Sequence, residues 1–198
     1  MPRTGLAPEE LRRRAIEVAN RRIKAAGYAK LRVTDIAAEL GVSHAALYSH
    51  FSGKEDILDA VVGHWLDVSQ DDLRAAVTGP GTPEERLEAW LIQRFRLKRE
   101  AAVKDPELYQ AYCQASDRLR EVVQRHKTIW RDQIAVLLVQ AIPDLADPTH
   151  AARLVQLAMF GFDHPRLVLM HLNAEADEVE ANLREVLHTL ITGLRATA

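Results

Sequence analysis

The chain has 198 residues, 47% of them apolar, and a formal net charge of −2. That length can bury a substantial core in one or two domains, and nine Gly with eight Pro fit a compact helical protein rather than a low-complexity one. The longest apolar stretch, Ile134 to Ile142, contains Gln140 and is too short to span a bilayer, and a single cysteine, Cys113, excludes an internal disulfide. No apolar run of the signal-peptide kind precedes Arg12, so the expectation is a cytoplasmic protein with no membrane partner.

Residues 8–26 predict a first helix. Pro8 suits a first helical position, Leu11, Ala15, Ile16, Ala19 and Ile23 make an apolar stripe, and Gly27 ends it. Thr34 reads as the N-cap of a second helix, with Ile36, Ala37 and Leu40 on one face and Gly41 at its end. Ser43 reads as the cap of a third, and Leu47 and Phe51 lie four apart behind it. Ser52-Gly53-Lys54-Glu55 then matches a capping box that opens a fourth. Two helices of about two turns, joined by a turn of about three residues and backed by a longer helix, form a helix-turn-helix.

The outward positions of this unit carry chemistry suited to DNA. Ser43, His44, Ala45 and Ala46 make the N-terminal turn of the reading helix. His44 can meet a purine edge, and the two Ala methyls a thymine methyl. Tyr48 and His50 suit phosphates or the groove wall, although Tyr48 also fits core packing and His44 an ordinary solvated side chain. Lys54, in the first turn of the next helix, can grip a phosphate together with free backbone N–H groups. Residues 1–54 hold ten Lys and Arg against five Asp and Glu, leaving 16 against 23 in the rest, so a basic head sits on an acidic body. The plainer reading of Arg12, Arg13, Arg14, Arg21, Arg22 and Lys24 is that they solubilise an exposed helix.

The pattern Thr34…Ile36-Ala37…Leu40-Gly41-Val42-Ser43…Leu47-Tyr48…His50-Phe51…Lys54-Glu55…Leu58 resembles the N-terminal domain of the TetR family of bacterial transcriptional regulators. The resemblance implies an all-helical homodimer whose second half binds a small molecule. It also implies DNA contacts at the positions of Thr34, Ser43, His44, Tyr48, His50 and Lys54. Position 45 is often Gly in that family and is Ala here. The run Phe162 to Val168 resembles one subgroup with a distinct C-terminal domain.

From Lys54 to about Val77 the pattern is one helix, and Thr78 to Pro83 is the clearest break. Further helices are predicted at about 83–103, 106–114, 116–142, 148–172 and 175–196, with a kink near Phe162 to Pro165 because Pro165 frees the carbonyl of Gly161. The expected fold class is all-α: an N-terminal three-helix DNA-binding domain over residues 1–53, then a helical effector-binding and dimerisation domain over 54–198. The last two helices carry more apolar residues than one narrow stripe needs, so Leu154, Phe162, Leu183, Leu187, Leu190 and Ile191 are expected at a homodimer interface.

Trp90, Phe95, Tyr109, Tyr112, Cys113, Trp130, Gln133, Met159 and Phe160 are expected to line a pocket for an apolar or aromatic effector, though residues of these types also make ordinary core. Whether Asp163, His164 and Pro165 border that pocket or shape the interface stays open. No metal spacing, phosphate loop or catalytic triad pattern is present, so no cofactor, metal or catalytic residue is expected. The expected function is a homodimeric repressor released from a near-palindromic double-stranded DNA operator by a small molecule. The alternative is an architectural or partner-binding protein of the same fold without an effector.

Overall fold

The computed structural model describes residues 7–197, all helix, turn and connecting segment without a strand. In chain order the helices are α1 (Pro8–Ala26), a 3-10 turn (Tyr28–Lys30), α2 (Val33–Leu40), α3 (His44–Tyr48), α4 (Lys54–Thr78) and α5 (Pro83–Lys104). There follow α6 (Pro106–Asp117), α7 (Glu121–Ala141), α8 (Pro148–Ala158), α9 (Phe160–Asp163), α10 (Pro165–Met170) and α11 (Ala176–Thr197).

Two compact units result, and they do not follow the expected division at residue 53. The first takes the chain up to Leu66 together with Lys104–Val123, and the second takes the remainder. The reason is α6, which packs on α1 and on the 3-10 turn. Leu108, Tyr109, Tyr112 and Cys113 are thereby buried with Leu11, Ala15, Val18, Ala19 and Ile23 of α1. Gly27 marks the closeness of that approach. Its φ is +80°, and a Cβ there would lie 2.5 Å from the Glu107 carboxylate. Lys24 adds an ion pair to Asp105 at 2.7 Å.

In the second unit α8 packs against α11 and α9, and α9 against α10. Leu87, Trp90, Leu91, Ile92 and Phe95 of α5 are buried there, as are Trp130, Ile134, Leu137 and Leu138 of α7. The predicted helix over 148–172 is three pieces rather than one kinked rod. His164 is extended (φ −66°, ψ 126°), as the residue before a proline prefers, and Met159 breaks the path a second time with ψ near 0°. Arg99 then donates to the carbonyls of His171, Leu172 and Ala174, tying down the turn that follows α10.

The predicted helix over 116–142 likewise begins later, at Glu121. Leu119 takes a left-handed φ of 51°, and Arg120 N–H donates to the Ala115 carbonyl to close the end of α6.

Candidate functional site

The helix-turn-helix is built around a few buried anchors. Ile36 and Ala37 of α2, Leu47 of α3 and Phe51 beyond it are buried. Gly41 adopts the left-handed conformation, φ 66° and ψ 26°, where its own N–H reaches Ala38 and that of Val42 reaches Ala37. Ser43 is extended and its hydroxyl accepts from Ala46 N–H at 3.1 Å, which starts α3. Removing that cap, Ser43→Ala, is expected to cost about 1 kcal/mol, read by thermal unfolding.

With Leu47 turned inward, the rest of α3 faces out. Ser43, His44 and Ala45 are exposed, Ala46 is half-buried, and Tyr48 is 45% exposed with its ring edge-on to His44 at 4.7 Å. Tyr48 is therefore not part of the core. His50 is half-buried, and its carbonyl accepts from Arg12, whose guanidinium lies over the Phe51 ring.

Two local details differ from the sequence reading. Helix α2 begins at Val33 with Arg32 as the capping residue, because buried Leu31 and Val33 fix its entrance two positions earlier. Thr34 is thus exposed in the first turn, and its hydroxyl does not cap. At α4, Asp56 rather than Glu55 reaches back to Ser52 N–H, at 2.9 Å. Glu55 is drawn away by the Tyr28 hydroxyl at 2.9 Å and by Arg118 at 2.8 Å.

Lys54 lies over the Tyr28 ring and donates to the Ala29 carbonyl at 2.9 Å. An ammonium has three N–H donors, so a phosphate can still be reached. Most basic residues of α1 already have partners. Arg13 and Arg14 hydrogen-bond to Glu10 and hold its carboxyl down at about 2, and Arg21 and Arg22 pair with Glu39. Arg32, which the sequence reading did not single out, is exposed beside Thr34. Its signal was hidden by the misplaced helix start.

Comparison with known proteins decides the family. Residues 83–187 match the domain described as tetracyclin repressor-like, C-terminal, and residues 15–61 match the bacterial regulatory proteins of the tetR family. The chain belongs to the TetR family. It is 30% identical over 156 residues to the HTH-type transcriptional regulator BetI of Brucella anthropi, covering 79% of each chain. It is 35% identical over 97 residues to the protein of that name in Rhizobium meliloti, 48% of this chain and 47% of that one. A TetR/AcrR-family regulator from Thermobifida fusca shares the fold with a TM-score of 0.61 at 24% identity, over 89% of this chain and 95% of that one. A tetR-family regulator from Streptomyces coelicolor does so with 0.63 at 18%, over 98% and 85%. The chain is thus a transcriptional regulator with a DNA-binding domain, not an enzyme. No helix among the described residues is long and apolar enough to cross a membrane.

In this TetR-family chain the second unit encloses a cavity of about 30 Å³, lined by Trp90, Leu91, Phe95, Trp130, Ile134 and Met159 with Arg94, Gln156, Phe162, Asp163 and Leu183. It has room for about one water molecule, far below the ~300 Å³ where small-molecule sites begin. Four of the predicted pocket residues meet there: Trp90, Phe95, Trp130 and Met159. Gln133 lies beside them and accepts from Trp90 Nε1–H at 3.0 Å. Phe160 is 52% exposed instead and lines an outer cleft. Tyr109, Tyr112 and Cys113 belong to the first unit, where Tyr109 and Tyr112 contact the Trp65 ring.

The cavity wall carries an ion cluster that the sequence reading missed. Arg94 is 7% exposed and donates to Asp163 twice, Nε to Oδ1 at 2.5 Å and Nη2 to Oδ2 at 3.0 Å. Lys98, 3% exposed, donates to the same Oδ1 at 2.7 Å and to the Asp163 carbonyl. The Arg94 guanidinium lies 3.3 Å over the Trp130 ring. Burial, then the Arg94 charge, pull the Lys98 amine down to about 7. Burial opposes ionisation of Asp163, but the charges and hydrogen bonds of Arg94 and Lys98 outweigh it and hold that carboxyl below its ordinary range. The available signal was periodicity: Trp90, Arg94, Phe95, Lys98 and Ala102 recur on one face of α5, which places two cations on a buried stripe.

The expected interface residues divide. Leu183, Leu187 and Ile191 are buried within the one chain, where they seat α11 on its own unit, so they are not available to a second copy. Leu154, Phe162 and Leu190 are half-buried, and Leu157 and Phe160 of the same region are 58% and 52% exposed.

Proposed function

We propose that this chain acts as a cytoplasmic homodimeric repressor that leaves a near-palindromic operator when a small molecule binds its second unit. The observation that carries the reading is the exposed first turn of α3, Ser43 to Ala46, held outward by buried Leu47 and Phe51. His44 and the Ala methyls read base edges there. Thr34, Tyr48, His50 and Lys54, with Arg32 added, fix the helix on phosphates. Pairing uses the partly exposed apolar side chains Leu154, Leu157, Phe160, Phe162 and Leu190, and sets two reading helices about one turn of duplex apart, or a little more. An effector that binds better to a dimer with the wrong head spacing releases DNA by no more than that affinity difference.

The test is operator binding followed by fluorescence anisotropy across a salt series, with DNA recovered from the source genome. Lys54→Ala is expected to weaken binding at all sequences alike and to lower the salt slope by roughly two, one phosphate per subunit. An unchanged slope removes Lys54 from the contact set. His44→Ala is expected to relax base preference by about 1–3 kcal/mol at one position of each half-site. Sedimentation should show a dimer, and Leu157→Asp should yield monomers that bind the operator poorly.

A further inference from the structure

The second unit places one carboxylate, Asp163, in the walls of two voids, and two buried cations hold it, of which Arg94 lines the inner void. The inner cavity of about 30 Å³ and an outer cleft of about 370 Å³ both include Gln156 and Asp163 in their walls. Among the described residues that line the two, Asp163 is the one carboxylate, against Arg94, Lys127, Arg131 and Arg153. The region is therefore electropositive, and an anion entering it meets a single competitor. A second feature points to an acceptor-bearing ligand. Trp130 is 2% exposed, lines the cavity, and its Nε1–H is buried with no acceptor among the described residues. A buried donor left unpaired costs free energy that a ligand oxygen recovers.

Asp163 is also placed where it can be exchanged. A third of its side chain still faces solvent, whereas Arg94 and Lys98 are almost wholly enclosed. It ends α9, a four-residue helix bounded by breaks at Met159 and His164. Helices this short have little stability of their own, so the ion pairs of Arg94 and Lys98 add to the packing of α8 and α10 in holding the segment. Swapping one carboxylate for another at those donors keeps the cations paired while it frees α9.

We propose that this site takes a small organic carboxylate with an aromatic or apolar body, which binds Arg94 and Lys98 in place of Asp163. The carboxylate occupies the fork of the Arg94 guanidinium, and the body lies against Trp130, Phe95 and Met159. Space comes from the departing Asp163 side chain and from the adjoining cleft, whose outer wall, Leu157 and Phe160, belongs to the face assigned above to pairing. Release of α9 is then what the ligand does to the protein. The inference names the ligand class for the effector reading and rests on it.

Calorimetric titration of the full chain, without DNA, tests the site with three carboxylates: benzoate, phenylacetate and octanoate. Phenylacetamide and phenethylammonium serve as neutral and cationic counterparts of the second. At least one carboxylate should bind saturably, and phenylacetate should bind about tenfold tighter than its amide, the scale of a charge-assisted hydrogen bond. Arg94→Met should erase that preference. Asp163→Ala should strengthen carboxylate binding about tenfold, and acetate should raise its melting temperature while leaving the wild type unchanged. Should either variant fail to fold, the wild-type charge series decides. No saturable carboxylate binding, equal affinity for the amide, or preference for the ammonium overturns the proposal. The operator assay separates the two readings: carboxylate binding that leaves DNA affinity unchanged keeps the site and removes its effector role. Operator release by a neutral compound without carboxylate preference does the reverse.

Discussion

Asp163→Ala is expected to lower the melting temperature by about 6–12 °C. The substitution leaves Arg94 and Lys98 enclosed without the carboxylate that both contact. Removing one partner of a buried pair costs about 3–5 kcal/mol, and the partial exposure of Asp163 lowers this to about 3. Because the Asp163 carboxyl is held below its unfolded value, the native state binds fewer protons than the unfolded chain near pH 4. Its contribution is therefore complete above that value and is lost progressively below it, until pH passes the depressed folded-state value. The gap in melting temperature between wild type and variant should stay constant from about pH 6 to about pH 5 and narrow progressively as pH falls below about 4. That range lies below the region where Lys98 loses its charge. A gap that does not narrow at all below about pH 4 would assign the loss to packing rather than to the charge.

Leu47→Ala is expected to cost about 2–5 kcal/mol and to abolish specific DNA binding. Leu47 is 0% exposed and is the buried residue of a five-residue helix. So short a helix has little stability of its own, so its orientation depends on that side chain and on the Ser43 cap. The matched control is Tyr48→Ala, one residue on and 45% exposed, which should leave the melting temperature nearly unchanged while weakening DNA binding. Circular dichroism melting and anisotropy on the same samples separate the two. Equal melting temperatures for both variants would show that α3 is held by something other than its apolar anchor.

The reading head was legible because its signals are local. Gly41 and Ser43 act within a few residues of themselves, and the spacing of Ile36, Leu47 and Phe51 states which face turns inward. Pro83, Pro106 and Pro148 open helices for the same reason, since a proline acts on its own φ and its own missing N–H. The end of α6 was missed because Leu119 holds a left-handed turn without a glycine to announce it. At α4 the capping acid was misassigned because Tyr28 and Arg118, neither adjacent in the chain, compete for Glu55.

Local backbone preference and apolar periodicity thus determined, from the sequence by itself, an all-helical chain with a helix-turn-helix at its head and most helix boundaries. Tertiary structure alone decided that α6 belongs with the head, that Leu183, Leu187 and Ile191 are spent inside one chain, and that Arg94 and Lys98 converge on Asp163. The physical reason is separation. Arg94 and Asp163 stand 69 positions apart, and an ion pair between distant residues leaves no periodic trace at either end until the helices that carry them are packed.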